Sequence, residues 1–187
     1  MTQKIAFIGT GGTIASIGKG PLDILDYGAN KTMLQADAIL AEVPEVQEVA
    51  KVVAVNFRNI PSPDIYFNEW KELGALCDKL VADDPELAGI VIGHGTATLE
   101  ETAYFLGLTL KVNIPVVIVG SQRPLSGLST DARMNLVNAV QTATSPASIG
   151  RGVLVVLNDE IQAAREVTKT ATVRLQTFRT PDFGVLG

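Results

Sequence analysis

Five short apolar runs recur along the chain, at residues 5–8, 52–55, 89–92, 116–119 and 153–157. They are rich in β-branched residues and nearly free of polar ones, the pattern of strands covered on both faces. Between them apolar residues recur at helical spacing. Trp70, Leu73, Leu76 or Cys77, and Leu80 follow Pro63 and Asp64, and Leu99, Ala103, Leu106 and Leu110 form a second stripe. Leu136, Val137 and Val140 form a third behind Asp131, which stands where an N-cap belongs. Strand and helix in alternation predict an α/β domain with a mainly parallel sheet flanked by helices. Residues 158–187 break this rhythm and close on the apolar segment FGVLG. That ending predicts either an apolar surface whose cover lies elsewhere or a last strand pairing back onto the sheet.

Composition narrows the function classes. With 187 residues, one domain is expected, and 47% hydrophobic against 19% charged residues excludes a disordered chain. Fifteen Lys and Arg against 20 Asp and Glu leave a net charge of −5, which argues against nucleic acid or an anionic membrane surface as partner. The run at residues 114–120 has strand length, far below the roughly 20 residues that span a bilayer. The opening MTQKIAFIG is too short in its apolar stretch for a secretory signal, so the chain is expected to start there and to be cytoplasmic. A single cysteine, Cys77, permits no internal disulfide and no thiolate metal cluster, and no metal or cofactor is expected.

Candidate chemistry collects in three loops at strand ends: GTGGTIAS (residues 9–16), GHGTATLEET (93–102) and GSQRPLSGLSTDA (120–132). In a parallel sheet, sites form at the carboxyl ends of strands. The first loop does not complete a dinucleotide fingerprint, because Ile14 stands where the third glycine of G-x-G-x-x-G belongs. No phosphate-binding G-x-x-x-x-G-K-[S/T] exists either, so the glycines leave at most a generic anion nest. With one histidine, His94, a histidine-based triad has a single candidate, and no Gly-x-Ser-x-Gly elbow occurs. Threonine is a nucleophile when another base takes its proton, and Thr13 and Thr96 both follow glycines at strand ends. Tyr27 and Lys169 are candidate bases. The same hydroxyls equally well satisfy loop backbone groups.

Six segments in order, TGGTIA, GHGTATLEETAYFL, VGSQRP, STDARMNL, RGVLVVLND and REVTKT, resemble the L-asparaginase/glutaminase family of the bacterial, threonine-dependent kind, from Ile5 to about Phe178. The resemblance implies a Rossmann-like N-terminal domain over residues 1–187, with 158–187 leading toward a linker, and the family's small C-terminal domain absent. It implies a homotetramer with active sites between subunits, a small-molecule amide substrate and no cofactor. By resemblance Thr13 attacks the side-chain carbonyl, helped by Tyr27, while Thr96 forms a second hydroxyl site activated by Lys169. Ser62 matches the serine that holds the substrate carboxylate, against the plainer reading of a helix N-cap. Backbone amides near Gly12 and Thr96 stabilise the oxyanion in such a site.

One departure stands out. The family reads GTD where this chain has Gly95, Thr96 and Ala97, so the carboxylate that accepts a substrate ammonium is missing. Four readings follow: an amide substrate without an α-ammonium, a catalytically silent binding module, an engineered change, or a substitute acid such as Asp131, Glu100 or Glu101. The two glutamates also suit the first turn of a helix. His94 is expected to be a structural hydrogen-bonding group, Cys77 and Trp70 core residues, and Arg123 either turned to the site or paired with an acid.

Overall fold

The computed structural model describes residues 2–30 and 32–187; Met1, where the expected domain begins, and Lys31 lie outside them. Strands β1 (Lys4–Gly9), β2 (Lys51–Asn56), β3 (Leu87–Gly93), β4 (Val116–Val119) and β5 (Val153–Leu157) coincide with the five apolar runs. All four pairings among them are parallel. With β6 (Glu160–Ala163) they form a sheet in the order β2-β1-β3-β4-β5-β6.

Side-chain alternation along each strand divides the core into two layers. Ile5, Phe7, Val91, Val117 and Val119 meet helices α1 (Ala36–Glu42), α2 (Val46–Val49) and α5 (Ala132–Thr144) on one face. Ala6, Ile8, Ile90, Ile92 and Ile118 meet α3 (Phe67–Asp83) and α4 (Leu99–Thr109) on the other. The stripes read from the sequence face inward: Leu73, Cys77, Leu99, Ala103, Leu106, Leu136 and Val140 are all buried. Strand β2 departs from the expectation of two covered faces. It is an edge strand, and Val53 remains 38% exposed.

The chain beyond residue 157 is more ordered than its pattern suggests. Asn158 and Asp159 both adopt positive φ, at 54° and 61°, and turn β5 back into antiparallel β6. That is the backbone of a tight two-residue hairpin, which Asn and Asp tolerate best among non-glycine residues. A second antiparallel pair, β7 (Thr168–Lys169) with β8 (Phe178–Arg179), follows. The expectation that the C-terminus pairs back onto the sheet holds in part. Leu186 donates to the Ile161 carbonyl and Ile161 to that of Gly187, so the tail runs along the sheet edge. Yet Phe183, Val185 and Leu186 keep exposed side chains, and no regular strand forms.

The topology places the site. The chain leaves β1 to one side for β2 and returns past it to β3, so β1 and β3 are neighbours whose following loops diverge. Ligands gather at such a switch point, outside the carboxyl ends of the strands.

Candidate active site

The loops after β1 and β3 meet backbone to backbone. A Cβ on Gly12 would stand 2.1 Å from the Gly95 Cα, and one on Gly95 would stand 2.6 Å from the Ser62 Oγ. Gly12 also has φ of 80°, so both space and backbone conformation demand glycine there. This contact brings together two hydroxyl centres. Thr13 Oγ1 lies 2.8 Å from the Tyr27 hydroxyl, and Lys169 Nζ donates to Thr96 Oγ1 at 2.7 Å. Thr13, Tyr27, Thr96, Lys169, Gly12, Ser62, Gly95 and Ala97 all line one cavity of about 570 Å³.

The Thr96 hydroxyl has two supports behind it. Lys169 sits on β7, which is tied to the start of α4 through Glu100: that carboxylate accepts from the Lys169 amide and, at 3.1 Å, from Thr168 Oγ1. Burial pushes the Lys169 ammonium below the ordinary lysine range, and the Glu100 carboxylate partly opposes this. The Thr96 turn is held by His94, which is fully buried. Its Nδ1 lies 2.7 Å from the Gly95 carbonyl, which can only accept, so the proton resides on Nδ1. Nε2 then accepts from Thr102 Oγ1 at 2.9 Å, and Thr102 accepts from Trp70 Nε1 at 2.8 Å. Desolvation pushes the His94 pKa down to about 4, so the ring is neutral at pH 7. His94 is hydrogen-bonded as a structural group, as expected, whereas Trp70 is not the core residue expected of it: it is only half-buried, stacked on Phe105.

Several readings from the sequence change here. Ser62 caps no helix: its hydroxyl accepts from the Ala97 amide at 3.1 Å and its carbonyl accepts from Thr98 Oγ1 at 2.7 Å, which docks its loop against the Thr96 turn. The N-cap of α3 is instead Tyr66, whose amide donates to the Glu69 carboxylate. Asp131 occupies the N-cap position of α5 without capping it; its carboxylate accepts from the Gln122 and Arg123 amides at 2.9 Å each. The Arg123 guanidinium neither faces the cavity nor pairs with an acid, but donates to the Ser129 carbonyl at 2.7 Å. Gln122 and Thr172 also line the cavity and were not singled out from the sequence, although Gln122 lies within the VGSQRP segment. Its amide donates to the carbonyls of Thr172 and Arg174, across about 50 residues that no local pattern links. Among the described residues no cluster of His, Cys, Asp or Glu could hold a metal ion, and no helix is long and apolar enough to cross a membrane.

The family model "Asparaginase, N-terminal" matches residues 4–187. The chain belongs to the asparaginase family. Among asparaginases it is 42% identical to L-asparaginase 2 of Bacillus subtilis (strain 168), over 98% of this chain and 48% of that protein. It is 41% identical to the glutaminase-asparaginase of Pseudomonas fluorescens biotype A, over 98% of this chain and 50% of the other. A probable cytoplasmic L-asparaginase from Campylobacter jejuni superposes with a TM-score of 0.92 at 38% identity, covering 99% of this chain and 55% of that one. The chain thus spans about half the length of the asparaginases it matches.

Proposed function

We propose that the site is that of an amidohydrolase acting on a side-chain amide, either L-asparagine or a related amide without the α-amino group. The observation that carries this is the pairing of two hydroxyls with two distinct partners at one cavity, Thr13 with Tyr27 and Thr96 with Lys169. Family membership supports the reaction class. Thr13 Oγ1 forms a bond to the amide carbonyl carbon. Its proton passes to the Tyr27 oxygen as the Tyr27 proton moves to the leaving nitrogen. The C–N bond breaks, ammonia departs and an ester to Thr13 remains. Water, oriented by the Thr96 hydroxyl that accepts from Lys169, then bonds to the ester carbonyl carbon; the bond to Thr13 Oγ1 breaks, one water proton returns to Thr13 through Tyr27, and the carboxylic acid leaves. The Gly12 and Thr96 amides, on facing loops, supply donors for the oxyanion, each worth about 3–4 kcal/mol.

The chain is read as one subunit of a homo-oligomer, because Tyr104 and Leu108 leave an apolar face of α4 exposed. It is read as cytoplasmic, supported by its likeness to the probable cytoplasmic L-asparaginase of Campylobacter jejuni. Ammonia release by the full-length protein tests the reaction. Thr13→Ala is expected to lower it roughly a thousand-fold or more without lowering the melting temperature. Unchanged turnover in Thr13→Ala refutes the nucleophile. Ligand-induced stabilisation of the wild type with no product formed makes the site a silent binding module instead.

A further inference from the structure

We propose that Gln122 is a positioning residue for Lys169, clamping the hairpin that carries this lysine against the wall of the cavity. The proposal rests on the amidohydrolase reading of the same site. Strands β7 and β8 pair over two residues each and form a sheet of their own, apart from the six-stranded one. The base of this hairpin is seated in the core by Val167 and Phe178, and Gln162 Nε2 donates to the Phe178 carbonyl at 2.9 Å. The connecting loop lies beyond that base, and its residues Thr172, Val173 and Arg174 are exposed. With so little packing, the loop keeps its place only as far as hydrogen bonds hold it.

Gln122 supplies that hold. Its Nε2 donates to the Thr172 carbonyl at 3.2 Å and to the Arg174 carbonyl at 3.0 Å, which uses both amide hydrogens. The anchor is stiff, because the Gln122 backbone amide donates to Asp131 at 2.9 Å and Asn135 Nδ2 donates to the preceding Gly120 carbonyl at 3.0 Å.

The loop is stiff as well. The Thr170 amide and hydroxyl both donate to the Thr177 carbonyl at 2.8 Å, and the Ala171 amide donates to Thr177 Oγ1 at 2.9 Å. A hold on Thr172 is therefore passed along a braced segment to Lys169, whose ammonium donates to Thr96 Oγ1. Gln122, Thr172 and Lys169 all line the cavity, so the clamp is part of the wall that presents the lysine.

Gln122→Met tests this on the full-length protein, since it keeps the reach of the side chain and removes both donors. The two clamp bonds are exposed, so the variant is expected to melt within about 2 °C of the wild type. Burial disfavours the Lys169 ammonium, and Glu100 on α4, the charged group acting on it, stays in place. A released hairpin admits water to Lys169, so its ionisation, read from the Nζ resonance, is expected to move to higher pH. Hydrogen exchange over residues 168–179 is expected to quicken. The kcat for ammonia release from L-asparagine is expected to fall roughly tenfold, with KM changed less.

Three results overturn the proposal: a folded variant whose Lys169 ionisation stays or moves lower, a shifted ionisation with kcat at the wild-type value, or melting lowered by more than about 10 °C, which makes the role one of stability. A wild type that releases no ammonia, with a variant that still shows the shift, leaves the clamp standing and removes the amidohydrolase reading.

Discussion

His94 shows how one side chain is specified by its surroundings. It is the single histidine of the chain, it is fully buried, and both its nitrogens are used. Because the Gly95 carbonyl must receive a proton, the ring adopts the Nδ1–H form and orients the turn that carries Thr96. Its pKa, about 4 in the folded state, is below the 6.5 of an exposed histidine. The unfolded chain therefore binds a proton between these values and the folded chain does not, so stability is complete above about pH 6.5 and is lost as pH falls toward 4. The loss reaches roughly 3 kcal/mol. Denaturant titrations from pH 7.5 to 4 measure it, and His94→Asn is expected to flatten the slope in that window. An equally steep slope in the variant assigns the pH dependence to other groups.

At the scale of elements, the short pair β7–β8 matters more than its length suggests. It holds Lys169 against Thr96, and it is anchored through Glu100 on α4, about 70 positions earlier in the chain. Glu100 raises the Lys169 pKa while burial lowers it. Glu100→Gln removes the raising influence and keeps an acceptor for Thr168. The Lys169 ionisation is expected to move to lower pH in this variant, as read by the pH profile of kcat or by the Nζ resonance. A shift to higher pH, or none, would show that Glu100 acts only as a tether. The neighbouring hairpin was legible in part: Asn158-Asp159 between VLVVL and EIQA is a turn signal for two positive φ values, overlooked because the strand it opens is polar. Helix α1 was missed because Ala36, Ile39, Leu40 and Val43 repeat over barely two turns.

Across the whole molecule, the sheet separates two apolar layers, and Cys77 lies at the centre of one of them. It has no exposed surface, and desolvation pushes its thiol up to about 12. The thiolate is the reactive form, so native protein at pH 8 is expected to resist alkylation, and modification should track global unfolding. Iodoacetamide labelling followed by mass spectrometry across a denaturant series checks this. Rapid labelling without denaturant would show that α3 opens locally.

The five parallel strands, helices α3, α4 and α5 and the candidate hydroxyls Thr13 and Thr96 were legible in the sequence, because each depends on local periodicity or on a short segment. Buried parallel strands need continuous apolar runs, and helices covering them need stripes, so those patterns are written along the chain. Which groups meet is another matter. Lys169 reaches Thr96 across 73 positions, Ser62 takes the Ala97 amide across 35, and neither separation has a periodic signature. Whether another acid replaces the one absent at Ala97 was equally beyond the sequence, since Glu100 and Asp131 look available there. Tertiary structure gives both of these carboxylates donors of their own, a matter of three-dimensional hydrogen-bond satisfaction rather than of residue order.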